Sequence, residues 1–72
     1  MLTNLDNARK KKGVSLVEIA DLLGVRTATV SDKINGKFEF KFGEALKIKQ
    51  KYFPEYEIEF LFAPDDEKVV AV

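Results

Sequence analysis

The sequence predicts a small all-α domain of five helices, organised around two short helices joined by a tight turn. Three observations carry this prediction. Ser15 and Glu18 have the S-x-x-E spacing of a capping box, in which each side chain accepts from the other residue's backbone N–H. Apolar residues recur at helical spacing on both sides of Gly24. Gly24 itself can adopt the left-handed conformation that ends a helix, so it marks the turn.

The first helix is expected to begin near Thr3, as its cap, and to end at Gly13. Leu5 and Ala8 fall on its inner face. The Arg-Lys-Lys-Lys run at residues 9–12 occupies the last turn, where cations interact favourably with the helix dipole. The same run is also suited to a phosphate patch, and the sequence leaves both interpretations open.

The second and third helices occupy residues 15–36, SLVEIADLLGVRTATVSDKING. Ala20 is small, as a residue at the crossing of two helices must be. Val30 and Ile34 are spaced i and i+4 in the third helix, and Asn35-Gly36 closes it.

Residues 38–42, FEFKF, alternate with period two and fit either a short strand or an extended loop whose three Phe side chains anchor it to the core. We favour the loop, because a connector is needed here. A fourth helix is predicted over about residues 43 to 53, with Pro54 stopping it.

Residues 55–62, EYEIEFLF, fit a strand by their alternation and a short helix by the preceding proline and the early acids. We favour the helix. Residues 1–62 then form the helix-turn-helix domain and residues 63–72 a C-terminal tail, whose last four apolar residues can pack, pair with another chain or fray. The residues expected in the core share helical spacing; they are Leu5, Ala8, Ile19, Ala20, Leu23, Val25, Val30, Ile34, Leu46, Ile48, Tyr52 and Phe62.

Composition excludes several classes of protein. The chain has 72 residues, 46% of them hydrophobic, enough for one small core. It has no cysteine and no histidine, no phosphate-binding glycine loop and no metal-ligand spacing. We therefore predict no enzyme, no catalytic residue, no metal and no cofactor. No apolar run approaches the roughly 20 residues of a membrane span, so a cytoplasmic protein is expected.

Charge is distributed unevenly along a chain whose formal net charge is zero. Residues 1–37 carry seven Lys and Arg against four acids, and residues 38–72 carry five Lys against eight acids. Dedicated DNA-binding domains are usually basic overall. The asymmetry is consistent with a basic motif followed by an acidic half, and equally with an uneven solvated surface.

Short runs at the centre resemble the helix-turn-helix of the lambda-repressor-like family, which includes the Cro and repressor proteins of temperate phages. These runs are Ile19-Ala20, Leu23-Gly24-Val25, Thr29-Val30-Ser31 and Asn35-Gly36-Lys37. The later residues Phe40, Phe42, Glu44-Ala45, Ile48, Tyr52-Phe53 and Leu61-Phe62 are similar to the last helices of small phage regulators, so the resemblance covers residues 2 to 62. The length and the acidic features also resemble the modulator-of-repression proteins of lactococcal-type temperate phages.

The resemblance implies a five-helix lambda-repressor-like fold and a transcriptional regulator of a lysis–lysogeny switch, working in the bacterial host cytoplasm. Its third helix would lie in the major groove of double-stranded operator DNA. The groove-facing residues implied are Arg26, Thr27, Ala28 and Asp32, with Thr29 and Lys33 nearby. The phosphate contacts implied are Ser15, Asn35, Lys37 and Lys41.

Two departures from the family pattern indicate an alternative function. Leu16 stands where family members usually carry a glutamine that contacts a phosphate, and Asp32 puts a negative charge on the recognition helix. The alternative is an anti-repressor that binds the DNA-binding domain of a cognate phage repressor and blocks its operator binding. Leu16, Asp32 and Glu39 would then form the partner-binding surface. The sequence does not fix the oligomeric state.

Overall fold

Five α-helices make up the part of the chain that the computed structural model describes, residues 1–64. Their bounds are α1 Thr3–Lys12, α2 Leu16–Leu23, α3 Thr27–Ile34, α4 Phe42–Tyr52 and α5 Ile58–Leu61. The all-α class and the count of five helices are confirmed for these residues, which contain no strand. The predictions made for residues 65–72 of the tail lie outside the described residues.

Helix α1 begins one residue earlier than a cap at Thr3 would imply. Leu2 occupies the N-cap position, where no side chain caps the helix, and Thr3 is already the first helical residue. The backbone N–H of Leu2 instead donates to the carbonyl of Ile34 at 2.7 Å, which ties the start of the chain to the end of α3. Gly13 ends α1 in the left-handed conformation, as predicted.

Helices α2 and α3 form where the sequence predicts them. The Ser15 hydroxyl accepts from the Glu18 N–H at 3.1 Å, and the Glu18 carboxylate accepts from the Ser15 N–H at 3.0 Å. Gly24 has φ 70° and ends α2. The Val25 N–H then donates to the Ala20 carbonyl at 3.0 Å, so the turn is held to the helix that precedes it.

The connector between α3 and α4 is a loop, but only one of its three Phe side chains anchors it. Phe40 is half-buried, with its ring edge-on to Phe62 at 5.3 Å. Phe38 is 54% exposed and Phe42 is 73% exposed, so the expectation is wrong for these two. Phe42 already belongs to α4 and lies one turn ahead of Ala45, the first residue of that helix in the core.

Helix α5 is shorter than predicted and does not begin at Pro54. After Phe53 the chain makes a turn in which the Tyr56 N–H donates to the Phe53 carbonyl at 3.0 Å, and the helix starts only at Ile58. The turn leaves Phe53 fully buried and brings Leu61 into the core, also fully buried.

The helices pack pairwise around one core: α2 lies against α3 and α4, α1 lies against α3 and α5, and α4 lies against α5. Seven predicted core residues are buried: Leu5, Ala8, Ile19, Ala20, Val30, Ile34 and Ile48. The other five are only half-buried; they are Leu23, Val25, Leu46, Tyr52 and Phe62. Leu23 and Tyr52 are the last residues of α2 and α4, and Val25 and Phe62 lie outside the helices, whereas Leu46 lies inside α4. Ala45, which has core spacing in the fourth helix, is buried too, and Val14, Phe53 and Leu61 are buried core residues that the helical spacing does not predict.

None of the helices within residues 1–64 has the length and apolar character needed to cross a membrane.

Candidate binding surface on α2 and α3

The N-terminal turn of α3 is open to solvent. Arg26 precedes the helix in extended conformation and is exposed, as are Thr27 and Ala28 in the first turn. No side chain caps this helix, so its first backbone N–H groups point outward without a side-chain acceptor. These are three of the six predicted DNA-binding residues, and the structure brings them together at one helix end.

The remaining predicted residues of α3 are less accessible. Thr29 and Asp32 are half-buried, and Asp32 makes no ion pair among the described residues. The side chain of Lys33 is only 11% exposed, and its Nζ lies 2.7 Å from Oε1 of Glu44 on α4. The charge of Lys33 is therefore compensated inside the protein and does not contribute fully to the outer face of α3.

Burial acts to raise the pKa of the Glu44 carboxyl, but other interactions outweigh it. The Lys33 side chain and the Lys41 backbone N–H both donate to the carboxylate, and the charges of the two lysines favour its ionised form. The net effect holds the pKa of Glu44 below its ordinary value. The Glu44 carboxyl is thus ionised at neutral pH.

At the start of α2, Ser15 is exposed, but its hydroxyl already accepts a hydrogen bond as the helix cap. It retains its proton for donation to a phosphate.

Leu16 is half-buried and packs against the core, beside Ser31 and Asn35. Leu16 belongs to the predicted partner-binding set, but its side chain packs against the core and is not a free apolar group on the surface. The next residue, Val17, has 54% of its surface exposed and is the apolar residue that faces solvent at the start of α2.

The predicted phosphate contacts Asn35, Lys37 and Lys41 all lie in the connector and are exposed, as is Glu39. Lys37 Nζ lies 5.8 Å from the centre of the Phe38 ring, a cation–π distance. The connector also borders a depression of about 530 Å³ lined by the rings of Phe38, Phe40 and Phe62.

The basic run at residues 9–12 is mostly engaged within the protein. Arg9 and Lys10 both pair with the buried carboxylate of Asp6, at 2.9 and 3.1 Å. Lys12 pairs with Glu55 and donates to the carbonyl of Tyr52. Of the two interpretations left open by the sequence, a phosphate patch is disfavoured, since Lys11 is the member of the run without an ion pair in the described structure.

The surface therefore combines three exposed cations, Arg26, Lys37 and Lys41, with the acids Asp32 and Glu39. Glu44 was not predicted as part of it, because its partner is 11 residues away along the chain and no local spacing signals such a pair. Within residues 1–64 no group of acidic side chains is arranged to hold a metal ion. The chain matches no protein-family model, no curated protein and no solved structure.

Proposed function

We propose that this chain is a lambda-repressor-like helix-turn-helix regulator of a temperate phage's genetic switch. We further propose that the solvent-facing side of α3, called the α3 face below, binds operator DNA. One observation carries the proposal: two eight-residue helices joined at a left-handed Gly24, the second with an open N-terminal turn that exposes Arg26, Thr27 and Ala28. A recognition helix presents such N-terminal residues to base edges.

The side chains suit this role chemically. An Arg26 guanidinium can donate two hydrogen bonds to O6 and N7 of guanine. The Ala28 methyl can contact a thymine methyl, and the Thr27 side chain can do either. Ser15 precedes α2, Asn35 and Lys37 follow α3, and Lys41 precedes α4; all four are exposed. Phosphate contacts from these residues would fix the orientation of the α2–α3 unit on the duplex.

The test is a gel-shift with the phage's own intergenic DNA, comparing Arg26→Ala with Lys37→Ala. Loss of a bidentate base contact should cost about 1–3 kcal/mol on the preferred sequence and relax the preference at one base position. Loss of a phosphate contact should weaken all sequences alike and lower the salt slope by about 1. If neither substitution changes binding, the α3 face is not the DNA-binding surface.

A second function, binding to a cognate repressor's DNA-binding domain, is favoured by the charges of the same face. Lys33 is neutralised by Glu44, whereas Asp32 on α3 and Glu39 in the connector have no ion pair among the described residues. Carboxylates without an internal ion pair suit the cations that a repressor otherwise offers to DNA. Val17 supplies an exposed apolar side chain on α2.

Asp32→Lys separates the two functions when the gel-shift is run with and without the cognate repressor. If the face binds the repressor, charge reversal should weaken that complex by more than about 1 kcal/mol, because an attractive pair becomes repulsive. Non-specific DNA binding should stay equal or become tighter. Unchanged repressor affinity together with weaker operator binding would instead show that Asp32 reads a base.

A further inference from the structure

The ion pair between Lys33 and Glu44 joins the last turn of α3 to the first turn of α4. It closes the connector of residues 35–41, and both side chains are largely withdrawn from solvent, at 11% and 20% exposed. The two helices make no direct backbone approach, so this side-chain contact is the link between them across the connector.

The surroundings of the two groups reinforce the pair. The Lys33 ammonium lies 5.7 Å from the centre of the Phe40 ring, which attracts a cation through its π face. The second interaction of the Glu44 carboxylate, with the Lys41 N–H at 3.0 Å, fixes its orientation at the start of α4. Lys33 is the only cation within α3, and Asp32 its only acid. Compensating Lys33 therefore leaves Asp32 as the uncompensated charge of that helix.

We propose that Glu44 is a positioning residue that withholds Lys33 from the α3 face. Glu44 thereby lowers the affinity of that face for DNA, while the face keeps its attraction for a cationic protein. The inference rests on the proposed function only in taking the α3 face as the binding surface. An ammonium already neutralised within the protein releases no counterion from DNA. Without Glu44, the long Lys33 side chain can extend to water and reach a phosphate.

The experiment measures the affinity of Glu44→Gln for a 20-base-pair duplex of arbitrary sequence by fluorescence anisotropy over a range of salt concentrations. The variant should bind about tenfold more tightly than the wild type at 50 mM salt, and its salt slope should be steeper by about 0.9, the value for one additional phosphate contact. Glu44→Asp, which keeps the charge but shortens the side chain, should fall between the two and serves as the second variant if Glu44→Gln folds poorly.

Two controls separate this role from a general effect of net charge. Glu59→Gln removes an exposed acid on α5 that has no ion pair among the described residues, and it should leave the duplex affinity within about twofold of the wild type. The double variant Lys33→Met/Glu44→Gln has the wild-type net charge and should return to the wild-type salt slope.

The inference would be overturned if Glu59→Gln increased the duplex affinity as much as Glu44→Gln does, or if the double variant still bound the duplex more tightly than the wild type. It would also be overturned by a Glu44→Gln protein that is folded by NMR and binds the duplex no better than the wild type.

Failure of this inference is distinct from failure of the proposed function. Tighter duplex binding by Glu44→Gln, together with no operator preference in the wild-type protein, would leave the inference standing and remove operator recognition.

Discussion

Single side chains carry much of the stability of so small a domain, and Leu61 is the clearest case. It is fully buried although it belongs to a helix of only four residues, Ile58–Leu61. A helix that short is not stable by itself and is held by its packing on α1 and α4. The Leu61 side chain therefore anchors the whole C-terminal part of the described fold.

Leu61→Ala should lower the free energy of unfolding by about 2–5 kcal/mol, because it removes a fully buried side chain and leaves a cavity. Phe42→Ala is the matched control. Its ring is 73% exposed, so its removal should change stability by less than about 0.5 kcal/mol. Urea denaturation followed by circular dichroism measures both. Equal losses in the two variants would show that α5 is not anchored through Leu61.

At the scale of helices, the sequence predicts those helix ends that are determined by residues a few positions apart along the chain. The ends of α2 follow from Ser15, Glu18 and Gly24, because the cap partners lie three residues apart and the glycine needs no distant contact. The start of α3 just after Arg26 follows from the same turn, whereas the assignment of Arg26 and Thr27 to a binding surface rests on the family resemblance.

Elements that depend on tertiary contacts were predicted less well. The turn after α4 exists because Phe53 is buried, and no periodicity in the sequence marks a core residue that follows the end of a helix. Likewise, the alternation in FEFKF predicts neither that Phe40 packs on Phe62 nor that Phe38 stays exposed. The pairing of Lys33 with Glu44 is decided by how α4 packs on α2, so it could not be read from either helix alone.

For the whole molecule, electrostatics limits how strongly the protein can bind a nucleic acid. The formal net charge of the chain is zero. Several of its cations form ion pairs within the protein, among them Arg9, Lys12 and Lys33. The exposed cations on or beside the α3 face are Arg26, Lys37 and Lys41. Long-range attraction to DNA is therefore weak, and affinity depends on the few contacts made at the surface itself.

We expect any DNA binding by the wild-type protein to be weak and strongly salt-dependent. Two cationic phosphate contacts, from Lys37 and Lys41, give a slope of about −1.8 in log affinity against log salt, or a loss of about twelvefold between 50 and 200 mM. Anisotropy titrations measure this slope. Lys41→Met should reduce it by about 0.9. Lys11→Met is the control, because it changes the net charge equally. Lys11 lies beside Tyr56 and Phe60, away from the α3 face, so its substitution should not change the slope. Tight binding that is nearly independent of salt would mean that the protein binds DNA through contacts other than those of Lys37 and Lys41 with phosphates.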